Sequence, residues 1–218
     1  MVVKLVAITK GVGDLDGMMA EEIISYIARV SNPANQMNTE TAPKLLKYLS
    51  KNKHWSPFEH ISFTLEIETS RAIAAQILRH RSFVFQEFSQ RYATATEFVK
   101  YEARRQDLKN RQNSINDMSE EDRQWFADAQ DEVIAGSNAF YQEALKRGIA
   151  KEQARFLLPL STKTRIYMTG NVRSWLHYIE LRSANGTQKE HMDIAQAAKE
   201  VFLKEFPSTA AAMEWKST

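Results

Sequence analysis

The stretch from residue 61 to residue 69 constrains the fold of this chain more than any other. Apolar and polar side chains alternate along it, with Ile61, Phe63 and Leu65 on the apolar side. A period of two residues is that of a β-strand with one buried face and one exposed face. From Arg71 the apolar residues recur with helical spacing instead. The sequence therefore predicts a half-buried strand that passes directly into a helix.

The remaining elements follow from the same kinds of pattern. The amino-terminal MVVKLVAIT and residues 161–169 predict two further strands. Isolated strands among many helices, without a sustained strand–helix alternation, favour an α+β fold over a parallel doubly wound sheet. We predict a single domain, residues 1–218, in which several long helices pack on a small, mainly antiparallel sheet. The other predicted helices cover residues 18–30, 39–51, 119–147, 171–182 and a last stretch from about 187 to just before Pro207.

Two helices have predicted start signals. Ser119 and Asp122 resemble a capping box for the long helix, and Thr187 and Glu190 form the same pattern before the last helix. Glu190 therefore has a structural explanation before any catalytic one. The long helix is predicted to face inward with Phe126, Ala129, Val133 and Phe140.

The composition excludes several classes of function. The chain has no cysteine, which excludes disulfides, thiolate metal sites and cysteine nucleophiles. Its formal net charge is only +2, so nothing in the overall balance calls for a nucleic acid or a membrane as partner. No window approaches the roughly 20 apolar residues of a membrane span, and the amino terminus lacks the features of a signal peptide. We expect a soluble, cytoplasmic protein.

Two short motifs are weaker signals. GVGDLDG follows a predicted strand, but Asp16 stands where a dinucleotide-binding turn has its third glycine, and Asp14 and Asp16 would repel a pyrophosphate. We interpret it as a plain turn. HWSPFEH, residues 54–60, is interpreted as a loop pinned by Trp55 and Phe58. Its histidines and glutamate lack the spacing of a metal site, so no metal is predicted.

The segment RHRSFVFQEFSQRY, residues 79–92, concentrates arginines and phenylalanines. Guanidinium groups bind phosphate through two parallel hydrogen bonds, and the Ser89 hydroxyl lies between Arg81 and Arg91 in the sequence. The segment therefore predicts a phosphate site whose phenylalanines are suited to cover a flat heterocycle. The alternative is a solvated basic helix end with ordinary core phenylalanines.

Arg79, His80 and Arg81, followed after seven residues by Ser89, resemble the signature of the flavin-dependent thymidylate synthases. The similarity extends, in the family's order, through ARVS at 28–31, HWSPFEH at 54–60, QARFLLPL at 153–160, GNVRSWLHYIELR at 170–182 and TQKE at 187–190. The resemblance implies reductive methylation of dUMP to dTMP. Methylenetetrahydrofolate would give the carbon, NADPH the reducing equivalents, and FAD would carry the hydride. It also implies a homotetramer whose active sites combine several subunits.

The resemblance assigns roles to individual residues. Arg182 matches the arginine thought to stabilise uracil ionised at N3, and it is the predicted catalytic residue. The predicted FAD contacts are His54, Ser56, Arg79, His80, Arg81, Glu87, Asn171, Arg173 and His177. The predicted dUMP contacts are Gln76, Arg79, Glu87, Phe88, Ser89, Gln90, Arg91, Arg155 and Arg182. The chain departs from many relatives at Ala184 and Gly186, where they carry an acidic residue and a histidine.

Two other interpretations stand beside the enzyme. One is a basic nucleotide- or RNA-binding module without catalytic activity, and the other is a helical assembly protein whose arginines are interface contacts. An RNA-binding module should show lysine and arginine clustered over a broad face, whereas this chain is almost neutral. An assembly protein would bind no flavin.

Overall fold

The computed structural model describes residues 2–217. The strands in this range are β1 (Val2–Ile8), β2 (Ser62–Ser70), β3 (Val84–Glu87), β4 (Arg105–Gln106), β5 (Ser114–Ile115) and β6 (Lys163–Asn171). The α-helices are α1 (Ala20–Ala28), α2 (Ala42–Lys51), α3 (Arg71–Ile77), α4 (Glu120–Lys146), α5 (Lys151–Ala154), α6 (Val172–Ser183), α7 (Lys189–Glu205) and α8 (Pro207–Ala212). Short 3-10 turns lie at Gly13–Leu15, Pro33–Asn35, Ser56–Glu59 and Arg155–Leu157.

Four strands form one antiparallel sheet in the order β1-β2-β6-β3, while β4 and β5 form a separate short hairpin. The predicted alternation of β2 is confirmed, because Phe63, Leu65 and Ile67 are buried while the side chains between them are partly exposed. The predicted α+β fold with a small antiparallel sheet is therefore confirmed.

The main hydrophobic core lies between one face of this sheet and the helices. Trp175 of α6 stacks on Phe63 of β2 with ring centroids 4.7 Å apart, and Phe202 of α7 packs against Phe63 at 6.2 Å. All three rings are almost completely buried. Burying a large apolar side chain contributes roughly 1.5–3 kcal/mol, so this contact fixes α6 against the sheet. The carboxyl end of α6 carries Arg182.

The sequence did not predict β3, which lies inside the segment 79–92. Its four residues pair with β6, from Val84 opposite Thr169 to Glu87 opposite Ile166. A strand this short has no recognisable period of its own, and it forms only because an edge of β6 is available to pair with it. The segment therefore starts at a helix end, crosses the sheet edge, and continues as a loop.

The prediction that α4 faces inward along its length was wrong. Val133 and Phe140 are exposed at 55% and 68%, and Phe126 and Ala129 are only half-buried. The fully buried side chains of α4 are Tyr141 and Ala144, at its carboxyl end. The physical reason is that a helical stripe identifies an apolar face but supplies no partner for it. Within residues 2–217, that face is covered chiefly near α5 and the turn at 155–157.

The two predicted capping boxes had different outcomes. At α4, the Ser119 hydroxyl accepts a hydrogen bond from the Asp122 backbone N–H at 3.1 Å, so the predicted cap is present. At α7 the prediction was wrong: the helix begins one residue after Gln188, and no side chain caps it. Instead Thr187 donates weakly to the Leu181 carbonyl at 3.4 Å, and Glu190 pairs with Arg104 at 3.4 Å. Glu190 thus pairs with the distant Arg104 and does not form the predicted cap.

Candidate active site

The backbone of the segment 79–92 is held at both ends. The His80 N–H donates to the Ile77 carbonyl at 3.1 Å, which closes a tight turn after α3, and the Phe88 N–H donates to the Arg165 carbonyl of β6 at 2.8 Å. Between them, Phe83 is buried and packs edge-on against Trp175, with the ring centroids 4.8 Å apart. A Cβ on Gly170 would lie only 2.4 Å from this ring, so glycine is required there. The turn and the loop are thereby placed on either side of β3.

Arg182 meets His80 of this turn. The Arg182 Nε–H donates to His80 Nε2 at 2.9 Å. Burial, together with the positive charges of Arg182 and its neighbours, lowers the pKa of His80 to about 4, so its ring is neutral near pH 7. Within residues 2–217 this is the one hydrogen bond of the Arg182 side chain, and no carboxylate pairs with it. The two terminal amino groups of the guanidinium have no hydrogen-bond partner in that range.

Glu87, predicted to contact both FAD and dUMP, is held at the carboxyl end of β3. Its Oε1 forms an ion pair with Arg71 at 2.8 Å and accepts a hydrogen bond from the Thr164 hydroxyl at 2.9 Å, and Arg71 also donates to the Phe88 carbonyl at 2.7 Å. These contacts fix the strand end, and they leave Glu87 Oε2 without a hydrogen bond inside the described chain. Glu87 can therefore offer one oxygen to a ligand while the other is held.

The loop after β3 brings the predicted phosphate-binding residues near the start of α5. Arg91 Nε donates to a carboxylate oxygen of Glu152 at 3.1 Å, and Arg155 Nε donates to the Glu152 backbone carbonyl at 3.2 Å. The Ser89 Oγ accepts from the Arg91 backbone N–H at 3.3 Å, while the Gln90 side chain is buried. Arg91 and Arg155 thus both donate to Glu152, while Ser89 is joined to this group only through the Arg91 backbone. Glu152 was not predicted as a partner, because it lies 61 positions beyond Arg91.

A cavity of about 610 Å³ lies beside α6 and contains part of the predicted FAD set. Arg173 and His177 line it, as does Ser82, the residue after Arg81. Arg173 forms an ion pair with Glu59, which lies in the predicted HWSPFEH loop. The remaining lining residues are Lys53, Trp55, Ser174, Leu176 and Glu180.

The other predicted residues lie around this cavity or beside the turn. Asn171 caps α6 by accepting from the Ser174 N–H at 2.9 Å, which gives it a structural role. His54 and Ser56 are exposed, and the His54 ring has an edge contact with Tyr48 at 5.9 Å. Gln76 donates to Gln188 at 2.5 Å, a partner that the sequence did not indicate.

The described chain does not join all of the predicted dUMP contacts to one another. No hydrogen bond or ion pair in residues 2–217 connects Arg182 with Ser89, Arg91 or Arg155. Along the chain, β3 lies between the turn at His80, which contacts Arg182, and the loop at Ser89. The same range contains no group of three or more His, Asp or Glu side chains arranged to hold a metal ion. It also contains no helix with the length and apolar character of a membrane span.

Comparison with known proteins assigns a family to this arrangement. A family model described as thymidylate synthase complementing protein matches residues 15–208. The chain belongs to this family. The predicted resemblance is therefore confirmed, and the match includes both the segment 79–92 and Arg182.

Members of the thymidylate synthase complementing family resemble the chain from end to end. It is 58% identical over 217 residues to a probable flavin-dependent thymidylate synthase of Paramecium bursaria Chlorella virus 1, which covers 99% of this chain and all of the relative. It is 54% identical, with the same coverage, to a flavin-dependent thymidylate synthase of Synechocystis sp.. Its fold is similar to that of the UMP/dUMP methylase PolB from Streptomyces cacaoi, solved with 5-Br dUMP. That likeness has a TM-score of 0.84 and 26% identity, and covers 98% of this chain and 94% of PolB.

Proposed function

We propose that this protein catalyses the reductive methylation of dUMP to dTMP. The observation that carries the proposal is the full-length identity of 54–58% to flavin-dependent thymidylate synthases. The dUMP analogue in the similar PolB structure supports the nucleotide substrate. We propose methylenetetrahydrofolate as the carbon donor and NADPH as the reductant, and a cytoplasmic location. The family assignment favours this enzyme over an RNA-binding module or an assembly protein.

Arg182 is the residue to which we assign the catalytic role. Its guanidinium is partly buried and has no countercharge in residues 2–217, so it can stabilise negative charge on a ligand at full strength. A uracil ring ionised at N3 is electron-rich at C5, the carbon that accepts the methyl group. A fixed cation beside that developing anion lowers the barrier by preorganised electrostatics, to which one contact can contribute about 3 kcal/mol.

The residues around the 610 Å³ cavity fit a bound FAD. FAD is an anion with a flat ring, and the cavity offers the Arg173 guanidinium, the His177 imidazole and the Trp55 ring. Arg79 and Arg81 on the adjoining turn have no carboxylate partner in the described chain, so they are available for the pyrophosphate. His54, Ser56, His80, Glu87 and Asn171 complete the proposed contacts. FAD when bound supplies the hydride chemistry; these residues bind it, orient it and exclude water.

The loop after β3 is the proposed site of the dUMP phosphate. Arg91 and Glu152 form an ion pair whose side chains are 60% and 47% exposed. An exposed pair of this kind contributes roughly 0–1 kcal/mol, so a phosphate that offers Arg91 a two-pronged hydrogen bond can displace Glu152 at little cost. Ser89 and Arg155 lie within the same group of contacts. Gln76, Arg79, Glu87, Phe88 and Gln90 are the remaining proposed dUMP contacts.

We propose that the complete site forms between subunits of a homotetramer. Within residues 2–217 no hydrogen bond or ion pair joins Arg182 to Arg91, and a second copy that brings its own loop beside Arg182 would complete the site. Large apolar side chains exposed on α4 and near α5 support self-association, since Phe140 and Phe156 are exposed at 68% and 75%. A molar mass by light scattering equal to one chain would contradict this assembly.

The proposed function is tested by purifying the protein, recording its visible spectrum and measuring NADPH oxidation with and without dUMP. We expect a flavin spectrum, dUMP-dependent oxidation, and formation of dTMP when methylenetetrahydrofolate is added. A protein that stays colourless after incubation with FAD, or whose NADPH oxidation ignores dUMP, would sink the proposal.

A further inference from the structure

His191, in the first turn of α7, is a buried histidine that the proposed function does not use. Its ring is completely buried, and its Nδ1 has no hydrogen-bond partner among the described residues. Its Nε2 is hydrogen-bonded to the Tyr178 hydroxyl of α6 at 3.1 Å. An imidazole with one unsatisfied nitrogen costs stability that an apolar side chain at the same position would not. Packing alone therefore does not explain why a histidine, hydrogen-bonded to Tyr178, occupies this buried position.

A continuous series of contacts leads from His191 to the proposed catalytic arginine. The Tyr178 ring centroid is 5.8 Å from that of His191 and 4.9 Å from that of His80, which it meets edge-on. The His80 and His191 centroids are 6.0 Å apart. His80 Nε2 then accepts from Arg182 Nε at 2.9 Å. Two buried aromatic side chains thus form the wall against which His80 rests.

The Arg182 contact depends on the protonation state of His80. Nε2 can accept from the guanidinium only while it carries no proton, because a protonated imidazole would turn an N–H and a positive charge toward Arg182. Burial is the main cause that lowers the pKa of both His80 and His191, to about 4 and about 3. The wall keeps water from one side of His80 and so favours the neutral form.

A neutral acceptor is also the partner that catalysis requires. A carboxylate would hold Arg182 more strongly, but it would cancel the charge that uracil must meet. A neutral imidazole orients the guanidinium through Nε and leaves both the charge and the terminal amino groups for the substrate.

We propose that His191 and Tyr178 are positioning residues for Arg182, acting through His80. His191 fixes the Tyr178 hydroxyl, and Tyr178 fixes the His80 ring with Nε2 toward Arg182. This inference rests on the proposed function for its kinetic consequence, while the His80 orientation can be tested without turnover.

The kinetic test compares His191→Phe and Tyr178→Phe with the wild-type holoenzyme. We expect kcat per bound flavin to fall about tenfold in His191→Phe, because small misplacements of a catalytic group are costly, with the KM for dUMP and the FAD content little changed. Tyr178→Phe keeps the ring and should lose less. His191→Gln, whose amide can still hydrogen-bond Tyr178, should recover part of the loss. The matched control is Tyr141→Phe, which removes another buried hydroxyl, at the far end of α4, and should leave kcat unchanged.

A double-variant comparison separates positioning from general structural damage. If His191 acts through Arg182, adding His191→Phe to Arg182→Lys should cause almost no further loss of kcat. The inference would be overturned if the fold losses in kcat of His191→Phe and Arg182→Lys multiplied in the double variant. It would also be overturned if both His191→Phe and Tyr178→Phe had the wild-type kcat. If His191→Phe does not fold, Tyr178→Phe and its combination with Arg182→Lys decide the matter.

Nitrogen NMR of ¹⁵N-histidine-labelled protein tests the orientation directly. We expect His80 Nε2 to report an unprotonated acceptor in the wild type and a mixture of tautomers in His191→Phe or Tyr178→Phe. Identical His80 signals in the wild type and both variants would overturn the inference. A wild-type enzyme that binds flavin but makes no dTMP would instead overturn the proposed function, and the NMR result would still decide the role of His191.

Discussion

Arg71 and Arg182, two arginines beside the segment 79–92, have contrasting surroundings. Arg71, at the start of α3, forms an ion pair with Glu87 at 2.8 Å and donates a hydrogen bond to the Phe88 carbonyl at 2.7 Å. Arg182, at the end of α6, has one neutral acceptor, His80, at 2.9 Å. The charge of Arg71 is cancelled inside the chain, whereas that of Arg182 is not. The first is therefore suited to hold the strand end, and the second to act on a ligand.

The difference shows why residue type alone does not assign a role. Both side chains are guanidinium groups, and both lie beside the segment 79–92. What distinguishes them is the charge of the nearest acceptor, which the structure reveals and the sequence does not. Four variants or conditions can break or sharpen this contrast.

The largest effect is expected from Arg182→Ala. Removing the uncompensated cation should lower dTMP formation about a hundredfold to a thousandfold, the cost of losing one preorganised electrostatic contact. FAD content should stay near the wild-type value. Steady-state kinetics with flavin quantification measures both, and normal turnover in this variant would move the catalytic role elsewhere.

Arg71→Met should show the opposite behaviour. The substitution keeps part of the apolar stem but leaves the partly buried Glu87 without its cation, which should lower the free energy of unfolding by about 1–3 kcal/mol. Activity per bound flavin should change much less than in Arg182→Ala. Urea unfolding followed by circular dichroism gives the stability, and an unchanged midpoint would mean that Arg71 does not hold the strand end.

Arg91→Ala tests the third kind of arginine, one with an exposed and replaceable partner. The KM for dUMP should rise about tenfold through the loss of a charged hydrogen bond to phosphate, while FAD content and folding stability stay close to wild type. A fall in FAD content with an unchanged KM would exchange the proposed substrate and cofactor assignments. Glu152→Gln is the matched control, because it removes the competing partner and should not raise the KM.

The smallest effect concerns the pH dependence of stability. The pKa of His80 is lowered to about 4 and that of His191 to about 3, so between about pH 6.5 and those values the unfolded chain binds protons that the folded chain does not. Stability should therefore fall as the pH is lowered from 7 toward 5, by about 1 kcal/mol for His191 and less for the half-exposed His80, where solvent screens the effect.

This pH range lies above the ordinary pKa of the carboxyl groups, so the histidines dominate it. Urea unfolding at about pH 7 and about pH 5 measures the change. His191→Phe should show a smaller loss than the wild type. An equal loss in both proteins would show that His191 is not held neutral in the folded state.

Regular periods were predictable from the sequence, and long-range partners were not. The alternation in β2 and the Ser119 cap are local patterns, and both are present. Val133 and Phe140 have the right spacing for a buried face, but no element within residues 2–217 covers them. β3 was missed because its pairing depends on β6, and the Thr187 pattern failed because Glu190 found Arg104 instead.

The site residues also divide into those that a sequence motif indicated and those that depend on contacts between distant parts of the chain. The resemblance pointed to Arg182 and the segment 79–92, and the structure brings Arg182 to His80 within that segment. Tyr178 lies within GNVRSWLHYIELR but was assigned no role, and His191 lies just after TQKE; both matter through a contact between two helices, which the sequence does not show. The sequence could not show that a strand lies between the turn at His80 and the loop at Ser89, because the pairing of β3 depends on β6.

The central position of β6 also determines when the site can form during synthesis. Glu66 of β2 meets Tyr167 of β6 across 101 positions, and Glu87 meets Thr164 across 77. A ribosome therefore releases β2 and β3 long before their shared partner exists, and the nascent chain carries unpaired strand edges in the meantime. The acidic side chains at Glu66 and Glu68 then repel other copies of the strand, and become counterions of Arg165 once β6 arrives.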